Sequence, residues 1–392
     1  MNADVLRAWW AHRQGLDGSL EGADPAEVLA AVGWARSVGG VGPYLTMHAR
    51  AGTARKEADT AVAALAIHEL PSARGCTYVV PAEDFALALT VSQGFGDGEA
   101  ATARKLGVPD KEIDRLCEVL LDALADQPLD PAGIKDVAGD AARNLGPAGR
   151  KNGLATTLPV ALGRLQSSGQ IRRVPVNGRL DQQRYRYVRW DAGPLAAGAP
   201  SVDDARTELA ERFFTWTGPA TLGHFRWFSG LGAAAAKSAL APLDLVPVDG
   251  LDDHLVLACD AAELLAFDRP SSPEVSLIAG IDSLALLRRD ADSLVERADS
   301  EHPLLASERG GGLADLPDHA IVDRGQVIGL WEFDPGDGEV VWATFAKADA
   351  AVRDAVATTE AFVRDHLGDA RSFGLDSPES RKPRLDLLRE YQ

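Results

Sequence analysis

The stretch RKNGLATTLPVALGRLQSSGQIRRVPVNGRLDQQRYRYVRW, residues 150–190, decides the fold. Its first half opens near Thr156-Thr157 and carries Leu158, Ala161, Leu162 and Leu165. That i, i+3, i+4, i+7 spacing marks one face of a helix, and Gly169 supplies its stop. Its second half holds two strand-like runs, IRRVPV (171–176) and RYRYVRW (184–190), and Asn177-Gly178 between them predicts a hairpin. Just upstream, Asp130-Pro131 sets an N-cap residue before a proline at the first helical position, predicting a helix to about Asn144 that ends at Gly146-Pro147. Helix, helix, hairpin is the order of a winged helix.

In such a module the second helix can enter the major groove of a duplex, while the wing lies along the backbone or reaches the minor groove. Arg172, Arg173, Arg179, Arg184, Arg186 and Arg189 all fall on the expected wing. The alternative is that alternating arginines such as Arg184 and Arg186 only form the solvated face of a strand. Between Arg143 and Trp190 ten basic residues stand against the single acid Asp181, a charge of +9, whereas the whole chain carries −18 and the remainder therefore −27. A wing this basic in a chain this acidic is hard to explain as solubility alone and points to phosphates.

The 392 residues allow roughly two to four domains, and 46% hydrophobic with 25% charged residues is a globular balance that excludes disordered or collagenous classes. Apolar runs such as 61–67 and 230–236 fall far short of the ~18 residues of a membrane span, so no membrane partner is expected. The first residues, MNADVLRAWW, have neither a basic leader nor an apolar core before a cleavage site. Cys76, Cys117 and Cys259 are odd in number and widely separated, which offers no disulfide framework and suits a reducing compartment. A cytoplasmic location is expected, at the nucleoid in a bacterium.

The helix-then-hairpin pattern recurs. Over 201–259, three helical runs precede the strand-like LDLVPV and HLVLA, here with an acidic turn at Asp252-Asp253. The first 120 residues permit a third copy, with helices around 5–12, 25–32 and 56–68 and a β-like run at 76–80. From Pro273 onward strands dominate (275–278, 320–322, 327–333 and 339–345), Gly336-Asp337-Gly338 marks a hairpin, and a helix over 348–365 follows. The expected fold is α+β: tandem winged helices, three in number, followed by a β-rich C-terminal domain. The expected boundaries are 1–125, 126–195, 196–268 and 269–392.

Enzyme signatures are sparse. The eight histidines form no HxH, HxxxH or HExxH pattern, so no metal site is expected. No GxxxxGK[ST] or GxSxG occurs, and the glycines of QGFGDG (93–98) read as a flexible loop, so no cofactor is expected. His68-Glu69 before Leu70-Pro71 could be an acid–base pair or the polar end of a helix; His254 after Asp252-Asp253 reads as solvated surface. Trp9, Trp10, Trp34, Trp216 and Trp227 fall at helical core positions, with stacking on a base as the alternative.

The blocks ELPSARGCTYVVPAEDF (69–85), 150–187, GPATLGHFRWFSGL (218–231), LIAGIDSLALLRR and HAIVDRGQVIGLWEF, in this order, resemble the bacterial winged-helix DNA-binding family that includes the AlkZ and YcaQ alkylpurine DNA glycosylases. The resemblance implies three tandem winged helices and a β-rich domain forming a concave DNA-binding body. It also implies a Gln-x-Gln or Gln-x-Asp motif that positions water against the sugar of an alkylated nucleotide. Counting back from Pro43-Tyr44-Leu45, that motif falls at Arg36-Ser37-Val38, where neither glutamine nor carboxylate is present. Tyr78 likewise stands where the family's RGTxH block has histidine.

Two readings of catalysis follow: a body that binds intact or damaged double-stranded DNA without hydrolysis, or a glycosylase whose water is activated by Glu69, Glu83 or Asp84. Phosphate contacts are expected from Arg150, Lys151, Arg172, Arg173, Arg179, Arg184 and Arg186, and groove contacts from Thr156, Thr157 and Arg164. The −27 outside the basic segment leaves a protein partner, with the winged helices as interaction or regulatory modules, as a third reading.

Overall fold

The structure is a computed structural model that describes residues 1–95, 97–182, 184–306 and 312–392. Helices Ala3–Arg13 and Pro25–Val32 lead into β1 (Ala35–Arg36). The second of these starts as its sequence dictates: Asp24 accepts from the Ala26 and Glu27 amides, the Glu27 carboxylate returns to the Asp24 amide, and Pro25 opens the first turn. Helices Gly42–Ala51 and Arg55–Ala63 follow, then β2 (Ile67–Pro71) and β3 (Thr77–Pro81), in an antiparallel sheet of order β1-β3-β2. The helix expected to reach His68 therefore ends at Ala63. Leu65 takes φ 58°, which no helix continues through, and burial of Ile67 and His68 against β3 makes the next segment a strand.

Among the described residues, six α-helices then run to the hairpin β4 (Ile171–Pro175) and β5 (Tyr185–Arg189). Of the expected loop at 93–98, Gly96 lies outside the described residues; Gln93 closes the helix Phe85–Ser92 and Asp97 opens the next. The helix expected to reach Asn144 stops at Ala138, because Gly139 turns to φ 41° and Asn144 pairs with Thr156 as a β-bridge. A short helix, Gly146–Lys151, fills the interval before Leu158–Ser167. The expected hairpin forms, with β4 and β5 antiparallel and in register from Ile171 opposite Arg189 to Pro175 opposite Tyr185. Gly178 folds back on the Pro175 carbonyl (3.2 Å), and the chain then buries Leu180 in the core that the first segment shares with the last sheet, where its amide donates to the Tyr44 hydroxyl at 2.9 Å. Gaining that apolar contact lengthens the loop.

Helix Val202–Thr217 leads into β6 (Ala220–Thr221), helices Leu222–Ser229 and Ala233–Leu240 follow, and β7 (Leu245–Pro247) and β8 (His254–Leu257) complete a sheet of order β6-β8-β7. The last four strands are β9 (Val275–Ile278), β10 (His319–Asp323), β11 (Gln326–Asp334) and β12 (Glu339–Thr344), in the order β12-β11-β10-β9. Helices Ala350–Phe362 and Pro378–Tyr391 follow, the second not anticipated from sequence.

The period of two along these strands buries both faces of the last sheet. Leu277, Ile321, Trp331 and Phe333 pack with Val28, Tyr44 and Leu45, while Ile278, Ala320, Val322 and Leu330 pack with Leu6, Trp9 and Trp10. Trp34, Leu70 and Tyr78 instead meet Leu209, Phe213 and Phe214 of Val202–Thr217. The basic segment has its own cluster around Leu116, Leu120, Leu165 and Ile171. No described helix is long and apolar enough to cross a membrane.

Candidate functional site

A cavity of about 180 Å³ opens where the first sheet faces the basic hairpin; Ser37, Val38, Gly39, Glu69, Thr77, Arg173, Gln182 and Tyr185 line it. Alternation along β2 sets its chemistry. His68 turns into the core and Glu69 to the other face, so the two adjacent residues do not act as a pair. Neither forms a helix end. The Ser37 amide donates to the Thr77 carbonyl at 3.0 Å, and its hydroxyl, 4% exposed as a residue, donates to Glu69 Oε1. Ser37 thus holds one carboxylate oxygen at the cavity wall.

Arg36, at the first position of the expected motif, turns elsewhere. Its Nη1 donates to the Thr77 carbonyl at 2.6 Å and its guanidinium carbon lies 5.4 Å from the Tyr78 ring centre. The opposite wall is cationic: Arg173 Nη2 donates to Thr77 Oγ1 at 3.3 Å and its guanidinium lies 4.9 Å from the Tyr185 ring. Behind it, Arg172 stacks 5.8 Å from the Trp190 ring, and burial lowers its pKa. His68 sits among Phe85 and Trp190 with no hydrogen bond to either ring nitrogen among the described residues. Burial, reinforced by the charges of Arg172 and Arg173, pulls its pKa down to about 3, so the imidazole is neutral.

The other expected carboxylates lie apart from this cavity. Asp84 is fully buried, accepts from Trp34 Nε1 at 2.8 Å and pairs with Arg212 at 3.1 Å; burial raises its pKa. Glu83 is exposed and 3.7 Å from the same arginine. Both anchor the start of Phe85–Ser92 to Val202–Thr217.

The expected phosphate and groove residues divide in two. Arg150 and Lys151, at the end of Gly146–Lys151, and Arg184 and Arg186, on and beside β5, are exposed. Arg164 instead pairs with Asp114, and Arg179 is held by Asp181 and by the Leu367 carbonyl at 2.9 Å. Thr157 is fully buried and its Oγ1 accepts from the Arg143 amide at 3.0 Å, a structural bond that leaves it out of reach of a groove edge. Thr156 is half-buried beside it.

Gln182, Tyr185 and Thr77 were not singled out by the sequence reading. Thr77 lines it as the first residue of β3, whereas Gln182 and Tyr185 reach it because Leu180 draws the wing loop onto the first segment, and only the isolated leucine in a polar loop hints at that.

Residues 41–362 match the family described as DNA glycosylase AlkZ-like. The chain belongs to this family. Among solved structures, the Streptomyces sahachiroi DNA glycosylase AlkZ is similar at a TM-score of 0.69 and 19% identity, over 95% of this chain and 98% of that one. No curated protein matches. The AlkZ-like match begins at residue 41, so Ser37 and Val38 of the cavity lie before it, while Glu69, Thr77, Arg173, Gln182 and Tyr185 lie within it.

Proposed function

We propose that the protein is a DNA glycosylase that hydrolyses the N-glycosidic bond of an alkylated nucleotide, with Glu69 in place of the Gln-x-Gln type of water-positioning group. In this reading the repeated helix-and-hairpin units at 1–125, 126–195 and 196–268 are winged helices and 269–392 is the β-rich domain that backs them.

One observation carries the reading: Ser37 fixes the Glu69 carboxylate at the wall of a cavity whose other side is the basic wing. An alkylated base is already a good leaving group, so hydrolysis chiefly needs a placed nucleophile and negative charge near the developing oxocarbenium ion. With Ser37 on Oε1, Oε2 of Glu69 is left to accept from a water and to take its proton as the bond to the sugar forms. Arg173, Arg184, Arg186, Arg150 and Lys151 then supply the phosphate contacts.

The test is base release from a duplex containing N7-methylguanine. Glu69→Gln, which keeps the shape and removes the charge, lowers the rate by about 10²-fold or more. An unchanged rate excludes Glu69. A second reading, binding without hydrolysis, draws on Arg173, whose positive charge at the same cavity opposes a glycosyl cation. Tight binding by a wild-type protein that releases no base supports it.

A further inference from the structure

The turn Phe373-Gly374-Leu375-Asp376 stands beside the mouth of the cavity. The Gly374 amide donates to the carbonyl of Val38, a cavity-lining residue, at 3.0 Å. Just before the turn, the Arg371 carbonyl accepts from the Val41 amide at 3.0 Å, and Arg371 Nη2 donates to the Asp181 carbonyl of the wing loop at 2.8 Å. The strand of chain from Arg371 is therefore tied to both walls of the cleft. The approach is close enough that a Cβ at Gly40 would lie 2.1 Å from the Ser372 carbonyl oxygen.

The turn also holds itself. The Phe373 amide donates to Asp376 Oδ2 at 2.8 Å, the Asp376 amide returns to the Phe373 carbonyl at 3.1 Å, and the helix Pro378–Tyr391 begins directly after at its Ser377 cap. Yet the side chains on this fixed backbone are apolar and face solvent. Leu375 is 91% exposed and Phe373 47%. A solvent-facing turn ordinarily carries polar residues. Val176, 50% exposed, adds another apolar side chain at the start of the wing loop that Arg371 contacts, and the exposed Arg184 and Arg186 stand at the end of that loop.

We propose that Leu375, backed by Phe373, is a wedge that enters the base stack of duplex DNA beside the nucleotide presented to the cavity. This rests on the DNA-glycosylase reading of the same cleft. The chemistry favours a duplex over other occupants. A base step offers two apolar faces a few ångströms apart, bordered by phosphates, which suits a protruding apolar side chain on a segment that Arg371 ties to the basic wing loop. Two side chains on one turn cannot supply the roughly 800 Å² per partner of a stable protein–protein contact. Because the turn is already rigid, inserting it costs little conformational entropy.

The experiment uses the full chain and a duplex carrying 2-aminopurine next to a stable abasic-site analogue, with the intact duplex as reference. Wild-type protein raises 2-aminopurine fluorescence as the neighbouring base is unstacked. Leu375→Ala abolishes most of that rise and weakens binding to the abasic duplex about tenfold, equivalent to ~1.4 kcal/mol, while its affinity for the intact duplex is unchanged. Leu375→Met restores both signals. At 91% exposure neither substitution threatens folding. If Leu375→Ala gives the wild-type rise, the wedge is overturned while the DNA reading stands. If wild-type protein binds neither duplex, both fall. If Leu375→Ala turns a dimer into a monomer in sedimentation and leaves the fluorescence response intact, the turn is a self-association contact and not a wedge.

Discussion

Ser37, directly after β1, and Glu69, on β2, stand on either side of β3 in the first sheet, and the hydroxyl of one donates to the carboxylate of the other. Neither residue can be moved without disturbing the sheet: the Ser37 amide is bonded to Thr77, and Glu69 is in register with Val79. The carboxylate is thus pre-positioned by backbone that folding has already ordered, the condition under which a general base is most effective.

We predict a graded response in base release. Ser37→Ala removes a hydrogen bond to a charged group and leaves the carboxylate, so its loss is about tenfold, the ~1.5 kcal/mol end of such bonds. Glu69→Gln loses about 10²-fold or more. Single-turnover rates on N7-methylguanine duplex check the ranking, and a Ser37→Ala loss equal to that of Glu69→Gln contradicts a supporting role for the hydroxyl.

Local chemistry was legible where a short segment decides the outcome alone. The helix expected around 25–32 and the hairpin that Gly336-Asp337-Gly338 marks between β11 and β12 are both found. What failed depended on partners distant in sequence. Asn177-Gly178 rightly marks the hairpin of β4 and β5, but the length of its loop, drawn out as Leu180 is buried with Tyr44, was not legible. His68-Glu69 reads as one polar pair until β2 places the two on opposite faces. Glu69, Glu83 and Asp84 were indistinguishable as sequence; Trp34 and Arg212 engage Asp84, and the cavity takes Glu69. The arginines were visible as a cluster, but their internal partners Asp114 and Asp181 were not.

The neutral, buried His68 makes stability depend on pH in a known direction. Its folded pKa is depressed to about 3, against about 6.5 unfolded. Between these values the unfolded chain binds a proton that the folded one does not. Its contribution is therefore fully present above the unfolded pKa and is lost as pH falls, by about 1.4 kcal/mol per pH unit. We predict that His68→Leu flattens the loss of stability between pH 6.5 and 4.5 relative to wild type. Urea denaturation at several pH values measures the slope, and parallel profiles rule out His68 as its source.

Arg50 and Asp282 form a pair with both side chains at 0% exposure, joined at 2.7 Å and 2.9 Å, with Thr46 Oγ1 also donating to the carboxylate at 3.1 Å. The pair ties Gly42–Ala51 to the chain just after β9. Removing one member strands the other charge in the core, so Asp282→Ala lowers stability by about 3–5 kcal/mol. The double substitution Arg50→Met/Asp282→Ala costs less than the sum of the two single changes. Chemical denaturation of the four proteins closes the cycle, and strict additivity would show that the two side chains do not interact.

The division among the arginines predicts which of them report on DNA. Arg184 and Arg186 are exposed on and beside β5, whereas Arg164 and Arg179 are held by Asp114 and Asp181. Each phosphate contact contributes roughly one unit to the dependence of log affinity on log salt. Arg184→Ala/Arg186→Ala therefore reduces that slope by roughly 2 and weakens binding alike on all sequences. Arg172→Ala/Arg173→Ala also weakens binding, because Arg173 lies on the cavity wall, but its effect includes loss of the contacts to Thr77, Tyr185 and Trp190. Arg164→Ala leaves the slope nearly unchanged, since the exposed pair with Asp114 already occupies its charge and contributes at most about 1 kcal/mol to stability. Fluorescence anisotropy at three or more salt concentrations separates the cases. A slope that falls for Arg164→Ala and not for Arg184→Ala/Arg186→Ala would place the duplex against the recognition helix alone and remove the wing from the interface.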